Sequence, residues 1–350
     1  MSSPTTNPPI WGSDTNFSSG PDSGEPVKVA PSAGVLAQGF VPGFSFLAAI
    51  INYVLYWLSS WVEFFRAESD TSKFGDGSDG TVTLGTAGTT TLSRDMFYQN
   101  LTISHASRIV QPQGYRIFVS DTLTLSAGRI ENDGANAVDD TAGAGGLSGS
   151  LLGGGNGAAG PVLANTAGTQ AAALVWLFGG TGGAGGADGG GESGGAAQTG
   201  TAPPANDGSF RSFPGCVELR RTSTVDQLGY RAGGGAGGSS GANDAAGGGQ
   251  HGGGGGGGGG VIVIVARRLI LSAGTTIRAN GGNGGTGFNT VGAGAGGGGG
   301  GGGGVIVIIA REVQDAGATV QVNGGSGGAG DDAGSAGSAG SAGKILRMTG

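Results

Sequence analysis

Two stretches of consecutive β-branched residues occur in the hydrophobic pattern, at 261–265 and 305–309. Both consist of Val and Ile with no polar residue between them, so they predict strands that are buried on both faces. Each follows a run of nine glycines, at 252–260 and 296–304, and the second copy begins 44 residues after the first. A flexible linker has no reason to repeat both its length and the strand after it. The glycine runs therefore indicate a repeat-built structural protein.

A longer unit contains these strands and occurs three times. It comprises a strand, a bend, a second strand and a turn. The first copy runs from 115–119 through the bend at 125–128 to Asn132, and the other two end at the Asn-Gly pairs 280–281 and 323–324. We expect the Asn-Gly pairs to form tight turns with positive φ, from which one copy stacks on the next.

The segment 74–138 predicts a β-rich neck that precedes the glycine-rich part of the chain. Polar and apolar residues alternate at 81–84 and again at 89–92, which is typical of short strands. The Asp-Gly cluster at 75–80 lacks the longer spacing and the terminal Glu of an EF-hand loop. It is interpreted as a polar turn, and no metal site is predicted.

A helical period replaces the β pattern at 44–66. Apolar residues recur at spacings of four and three, which predicts a heptad seam and an oligomerisation helix, most simply in a homotrimer. The seam comprises Leu47, Ile51, Val54, Leu58, Trp61 and Phe65.

Two other interpretations of this helix stay open. About 20 apolar residues suffice to cross a bilayer. Asn52, the serine pair at 59–60 and the lack of Lys or Arg immediately before the segment argue against a membrane span. The third possibility, a helix packed into the core of a partner assembly, cannot be separated from the trimer.

Residues 1–43 form an arm rich in Pro, Ser and Asn that cannot fold alone. Its stiffness lowers the entropy lost on docking, so it is interpreted as an extended attachment segment that orders against a larger partner. Its apolar anchors are Trp11, Phe17, Val35, Leu36 and Phe40.

Composition extends the structural interpretation to most of the chain. Glycine supplies 85 of 350 residues, whereas charged residues are 12% and aromatic residues 6%, which is unlike an ordinary globular domain. Glycine triplets at 179–184, 281–286 and 324–329 have a period of three, as in polyproline II, so neighbouring helices can approach and hydrogen-bond backbone to backbone. The strict Gly-Ser-Ala repeat at 334–343 is interpreted as another packed glycine helix rather than a linker, and 344–348 as a strand.

The predicted fold is therefore mainly β. Short-strand repeats, arranged as a β-solenoid or as layered sheets, are interleaved with bundled polyglycine II helices over 139–350. The extended arm and the single helix precede this part of the chain.

Net charge and the pattern of reactive residues limit the classes of function that the sequence supports. The net charge is −7 and no basic cluster is interleaved with aromatic residues, so nucleic acid is not an expected partner. The single Cys216 cannot form an intrachain disulfide. No phosphate-binding glycine loop is present, and neither His105 nor His251 has a catalytic partner in the pattern. We expect no enzyme activity, no catalytic residues and no cofactor. No secretory signal is predicted at the N-terminus.

Two parts of the chain resemble the glycine-rich tail-fibre and tail-tip adhesins, or receptor-binding proteins, of tailed bacteriophages. Residues 11–17, 28–31, 39–43 and 52–55 are similar to the virion-attachment arm of that family, and the glycine triplets between 143 and 343 are similar to its polyglycine II platform. The resemblance implies a homotrimeric virion protein that attaches to other tail proteins and becomes extracellular after host lysis.

The resemblance also implies that loops on a rigid glycine platform contact the host. Candidate loops are 202–211, 226–231, 239–244 and 288–291, and the ligand would be a cell-surface glycan or an outer-membrane protein. The candidate contact residues are Asn206, Phe210, Tyr230, Asn243, Phe288 and Asn289. For each aromatic residue, core packing between layers is an equally open interpretation.

Three other functions have different sequence requirements. A purely structural virion spike, decoration or fibre component would share the scaffold and bind no receptor. A polysaccharide-depolymerising tailspike would need paired carboxylates in a groove, and no such pair is evident. Ice binding by a flat glycine face would leave the arm and the helix without a purpose.

Overall fold

The computed structural model describes residues 58, 73–146, 154–162, 167–168, 179–197, 251–290 and 294–349. Contacts divide the chain into two units, Met1–Ser72 and Lys73–Gly350. In the first unit, Leu58 is helical and 58% exposed. The other seam residues and the five arm anchors lie outside the described residues, namely Leu47, Ile51, Val54, Trp61 and Phe65 of the seam and Trp11, Phe17, Val35, Leu36 and Phe40 of the arm. Within the described ranges, no helix is long and apolar enough to span a membrane.

The second unit is built on parallel strands, which confirms the mainly β prediction. In chain order they are β1 (Thr81–Leu84), β2 (Gly88–Thr91), β3 (Met96–Tyr98), β4 (Asn100–Ile103), β5 (Arg108–Gln111), β6 (Arg116–Leu125), β7 (Arg129–Glu131), β8 (Val261–Leu271), β9 (Thr276–Arg278), β10 (Val305–Asp315), β11 (Thr319–Gln321) and β12 (Lys344–Thr349). One sheet has the order β1-β4-β6-β8-β10-β12, with β3 paired to β6, and the other has the order β11-β9-β7-β5-β2.

The strand pairing follows the repeat that is visible in the sequence. The three copies supply β6 with β7, β8 with β9 and β10 with β11, so each copy adds one strand to each sheet. Val261 pairs with Val305 and the register stays constant over β8 and β10. Because β6 pairs with β8, the predicted neck and the glycine-rich segment share one sheet.

Two apolar clusters lie on the two faces of the larger sheet. Ile262, Ile264 and Ile306 pack toward the second sheet, where they meet residues such as Ile277. The alternate residues, among them Val263, lie in a separate buried cluster. The prediction that these Val and Ile strands are buried on both faces is therefore confirmed.

The bends between paired strands are set by glycine. Gly128, Gly274 and Gly317 occupy equivalent places in the three copies and have φ of 76°, 80° and 105°. A residue with a Cβ would be strained in this left-handed region. The sequence prediction placed positive φ at the Asn-Gly pairs instead, and that prediction is wrong, because Gly281 and Gly324 do not have positive φ.

The Asn-Gly positions have a different role. The chain continues straight from the second strand, and the Asn side chain accepts a hydrogen bond from the next copy. The Asn280 amide donates to Oδ1 of Asp133 at 2.7 Å, and the Asn323 amide donates to Oδ1 of Asn280 at 2.8 Å. These polar side chains form a ladder that links three successive copies.

Glycine-rich segments connect the strands, and we call them glycine rows because their backbone hydrogen bonds recur every three residues. The outgoing rows are 132–138, 179–188, 279–288 and 322–331, and the returning rows are 141–146, 252–260, 294–304 and 334–343. A further row, 154–160, packs beside 252–260.

Row 252–260 illustrates how the hydrogen bonds are distributed. Gly253, Gly256 and Gly259 donate to the row 296–304, each at 2.9 Å. Every third amide beginning with Gly254 donates to 132–139, and every third amide beginning with Gly252 donates to 155–161. All nine amides of the row are therefore satisfied by three different neighbours, as buried backbone requires.

Side chains are excluded from the contacts between rows. A Cβ added at Gly298 would overlap the carbonyl oxygen of Gly254, and one at Gly301 would overlap that of Gly257. The number of glycines per triplet follows the number of covered sides. Rows 252–260 and 296–304 are wholly buried, rows 281–286 and 324–329 expose every third residue, and row 334–343 exposes two residues in three.

The C-terminal Gly-Ser-Ala repeat is packed rather than free. The amides of Ser335, Ser338 and Ser341 donate to row 179–188, each at 2.8 Å. Those of Gly337 and Gly340 donate to row 322–331, each at 2.9 Å. A flexible linker would not hold two sets of periodic hydrogen bonds. The predicted strand after this row is confirmed as β12.

Two adjacent positions in one row test whether backbone contact requires glycine. We expect Gly285→Ala to lower the free energy of unfolding by about 3 kcal/mol, because its Cβ would overlap the carbonyl oxygen of Asp139. Thr286→Ala is the control. Its side chain is exposed, so the change should stay within about 0.5 kcal/mol. Chemical denaturation of both variants measures this, and equal stability would contradict the role of close row contact.

The third bend gives a pH prediction. Two residues before the bend glycine, where the other copies have Ser, Asp315 accepts hydrogen bonds from the amides of Gly317 and Ala318 at 3.0 and 2.9 Å. The Ala318 bond is the main cause that lowers the pKa of Asp315. A lowered pKa adds stability above the unfolded value of about 3.9, and this is lost as pH falls through the folded value.

Asp315→Ser should therefore weaken the pH dependence of the unfolding free energy below about pH 4. The variant should be less stable than the wild type by about 1 kcal/mol at pH 7. Denaturant titrations of both proteins between pH 7 and the acid limit measure this. Parallel curves for the two proteins would show that the Asp315 carboxylate does not contribute.

Candidate functional site

The end of the glycine rows away from the strands carries the turns of the chain, and we call it the outer tip. It comprises the turns 138–141, 188–192, 288–290 and 331–334, together with His251 and the end of row 154–160 at 161–162, where Gly252 donates to the carbonyl oxygen of Pro161. Row 252–260 begins here and ends at β8, so roughly 25 Å separates the outer tip from the strands if each residue rises about 3.1 Å.

Two of these turns use Asp at a left-handed position. Asp139 has φ of 52° and Asp332 has φ of 49°. Asp tolerates this region better than most residues because its short side chain bonds locally. Val138 and Thr141 close the first turn through an antiparallel bridge, and Asp331 pairs with Ala295. Backbone hydrogen bonds therefore hold both of these turns.

A third turn is held by one carboxylate. Oδ1 of Asp188 accepts hydrogen bonds from the amides of Gly190, Gly191 and Glu192 at 3.1, 2.9 and 2.8 Å. Asp188 is only 6% exposed. Its side chain therefore organises the turn 188–192 and is not offered to a ligand.

His251 and Phe288 form a pair at the outer tip. Each backbone amide donates to the carbonyl oxygen of the other residue at 2.9 Å. Their rings are 5.9 Å apart, tilted by 33°, and Phe288 is 44% exposed. The sequence supplied no partner for His251, because the two residues are brought together only by the return of the rows.

The six predicted contact residues have different outcomes. Phe288 is exposed at the outer tip, and its contact with a host ligand stays a prediction. Asn289 is only 6% exposed, and its amide donates to Oδ2 of Asp331 at 2.8 Å. Its burial does not fit the expected direct contact, because the side chain points away from solvent. The other four, Asn206, Phe210, Tyr230 and Asn243, lie outside the described residues.

Two exposed apolar residues of the outer tip were not predicted. Val138 is 67% exposed and Val162 is 52% exposed, and both lie where a row ends. A signal exists in the sequence for Val138, which interrupts a stretch of small and polar residues, whereas Val162 is followed by Leu163. Without the structure, that signal cannot be separated from an ordinary core position.

The outer tip is also acidic. It carries Asp139, Asp140, Asp188, Glu192, Asp331 and Asp332. The described parts of the glycine rows contain no Lys or Arg. Exposed apolar groups can stack on a ligand, and the exposed carboxylates beside them can accept its hydrogen bonds.

Charged residues near the strands form a separate structural cluster. Arg278 pairs through Nε with Asp133 at 2.8 Å and through Nη2 with Glu131 at 2.8 Å, and Arg129 pairs with Glu131 at 2.6 Å. Burial raises the pKa of Asp133. The cluster links β7 to β9 and leaves no carboxylate arranged as a free acid or base.

Cavities and metal ligands add no catalytic arrangement. An apolar cavity of 130 Å³ is lined by residues such as Leu271, Ile308 and Val313 of β8 and β10. A more polar one of 320 Å³ follows the bends at Gly128 and Gly274. Among the residues that the structure covers, no three His, Cys, Asp or Glu side chains are grouped to hold a metal ion.

Comparison with known proteins gives no guide to the site. No protein-family model, curated protein or solved structure matches the chain significantly. Function must therefore be inferred from the residues and contacts of this chain.

The Asp188 turn gives a test of how rigid the outer tip is. We expect Asp188→Ala to free three amides and to raise hydrogen exchange at 190–192 by at least tenfold, since an unmade bond to a buried group costs about 1–3 kcal/mol. Asp188→Asn is the matched control, because it keeps the accepting oxygen. Hydrogen exchange with mass spectrometry measures both, and unchanged protection in the Ala variant would contradict this role.

Proposed function

We propose that this chain is a homotrimeric bacteriophage tail-fibre or tail-tip protein that contacts the host surface through the outer tip. The observation that carries the proposal is the row structure itself. Rows with satisfied amides and no room for side chains make a stiff platform, and the exposed residues Val138, Val162 and Phe288 lie at its end. Rigid scaffolds that carry variable turns are a common arrangement for recognition.

The finer architecture belongs to the same proposal. Parallel pairing of successive copies in both sheets supports a β-solenoid, and the period of three in the row hydrogen bonds supports polyglycine II helices. In that arrangement the solenoid anchors the rows that join its strands, as where row 252–260 enters β8. The rows then project from it as a bundle.

The chemistry of the outer tip suits a surface glycan or an outer-membrane protein loop. The exposed ring of Phe288, supported by His251, offers an apolar face of the kind that stacks on a sugar ring. Asp139 and Asp332 are exposed and accept hydrogen bonds from hydroxyl or ammonium groups. The lack of nearby cations in the described rows favours ligands that are not acidic.

Attachment and assembly are assigned to the first unit. The arm would bind other tail proteins through its apolar anchors, and the helix would bring three copies together along its seam. Leu58, the one seam residue described, is 58% exposed, which leaves it available to a partner helix. The protein would then reside in the virion and leave the host cell on lysis.

The contact role is tested with full-length protein and intact cells from a panel of Gram-negative bacteria. We expect Phe288→Ala to weaken binding to a recognised strain by about thirtyfold, as loss of an aromatic hot spot costs about 2 kcal/mol or more. Val313→Ala is the control, because Val313 is 38% exposed but lies on β10, away from the outer tip. Flow cytometry with labelled protein gives the affinities.

The outcomes separate the candidate functions. Binding that Phe288→Ala leaves unchanged would contradict recognition through this ring. A folded protein that binds no strain would favour the purely structural virion component. Release of oligosaccharide from the cells would instead favour a depolymerising tailspike.

Trimer formation has its own test. We expect full-length protein to have three times the chain mass in solution, and Leu58→Asp to reduce it toward the single-chain mass, because a buried charge is expensive in a helical seam. Light scattering coupled to size-exclusion chromatography measures both. Ser60→Asp, off the seam, is the control, and a trimer that survives Leu58→Asp would argue against the seam.

A further inference from the structure

Among the described residues, the row 334–343 has packing neighbours on one side only. Gly337 and Gly340 face row 296–304, where a Cβ would overlap the carbonyl oxygens of Gly298 and Gly301. Its serine amides donate to row 179–188, and its glycine amides donate to row 322–331. Three neighbours therefore cover one half of this row. The other half carries exposed side chains.

The uncovered half has a regular pattern of backbone groups. Ala336, Ala339 and Ala342 are exposed, and in the described structure none of their amides or carbonyl oxygens has a hydrogen-bond partner. These groups recur every three residues. Inside the protein, the same period lets Gly253, Gly256 and Gly259 bond a complete neighbouring row. Row 334–343 is thus the counterpart of an unpaired edge strand in a sheet.

A Cβ decides whether another row can join. Inside the protein, rows are so close that a single added Cβ would overlap a neighbouring backbone atom. The same exclusion applies at the edge, so a methyl group on every third residue holds any new row beyond hydrogen-bond distance. Polar groups left in contact with water cost little, so the alanine edge is stable when it is exposed.

We propose that the methyl groups of Ala336, Ala339 and Ala342 prevent the protein from adding a glycine row of a second copy. The partner excluded is row 334–343 of that copy, since it presents the same repeating groups and a two-fold axis would pair the two edges. Orientation is no obstacle, because outgoing and returning rows already bond to each other, as Gly282 does to Gly257. The edge thus ends growth that the backbone would otherwise permit.

The test replaces the three methyl groups in the full-length protein. We expect Ala336→Gly, Ala339→Gly and Ala342→Gly together to double the mass of the wild-type species in sedimentation velocity, in a concentration-dependent way. The matched control changes the same residues to Ser, which keeps each Cβ, and it should sediment as the wild type does. The result does not depend on host binding, so it stands or fails separately from the proposed function.

The outcomes are distinct. A folded triple glycine variant with the wild-type mass would overturn the proposal, and so would association of the serine control. Circular dichroism melting shows whether the triple variant is folded. If it is not, Ala339→Gly decides alone: an association constant at least threefold above the wild-type value supports the proposal, and an unchanged one overturns it.

Discussion

Direct hydrogen bonding between glycine backbones is the interaction on which the rest of the structure depends. Ordering one residue costs about 1–2 kcal/mol of backbone entropy, and glycine loses the most. A single glycine segment has no side chain to offset that cost. Row 252–260 is ordered because each of its nine amides has a partner, and because the rows around it are close enough to exclude water. The bundle is therefore cooperative, and a Cβ at one interior position disturbs two neighbouring rows at once.

The strands and the rows support each other through a shared register. Rows 252–260 and 294–304 enter β8 and β10 directly, so the pairing of these strands also sets which residues of 252–260 and 296–304 lie side by side. The ladder of Asp133, Asn280 and Asn323 extends this register across the junction. A slip in either part would break the hydrogen bonds of the other. The apolar clusters on both faces of the larger sheet anchor the arrangement.

This construction explains why recognition would be placed at the outer tip. Most interior row positions leave no room for a Cβ, and the inward side chains of the strands form the core. Packing leaves the residue type unrestricted only on the outer surfaces of the rows and where rows reverse direction. At those reversals Phe288 is exposed while its neighbour Asn289 is buried, because the turn directs adjacent residues to opposite sides. Loops at such a tip can change without affecting the amides that hold the rows together.

The sequence by itself determined the β class, the buried Val and Ile strands, the threefold repeat and the period of three in the glycine segments. These follow from local spacing, since burial on both faces removes polar alternation and close packing removes side chains. Only the tertiary structure decided that Asn280 accepts a bond from the next copy rather than forming a turn, that His251 meets Phe288, and that Asn289 is buried. Those outcomes depend on residues far apart in the chain, which register brings together and local propensity cannot specify.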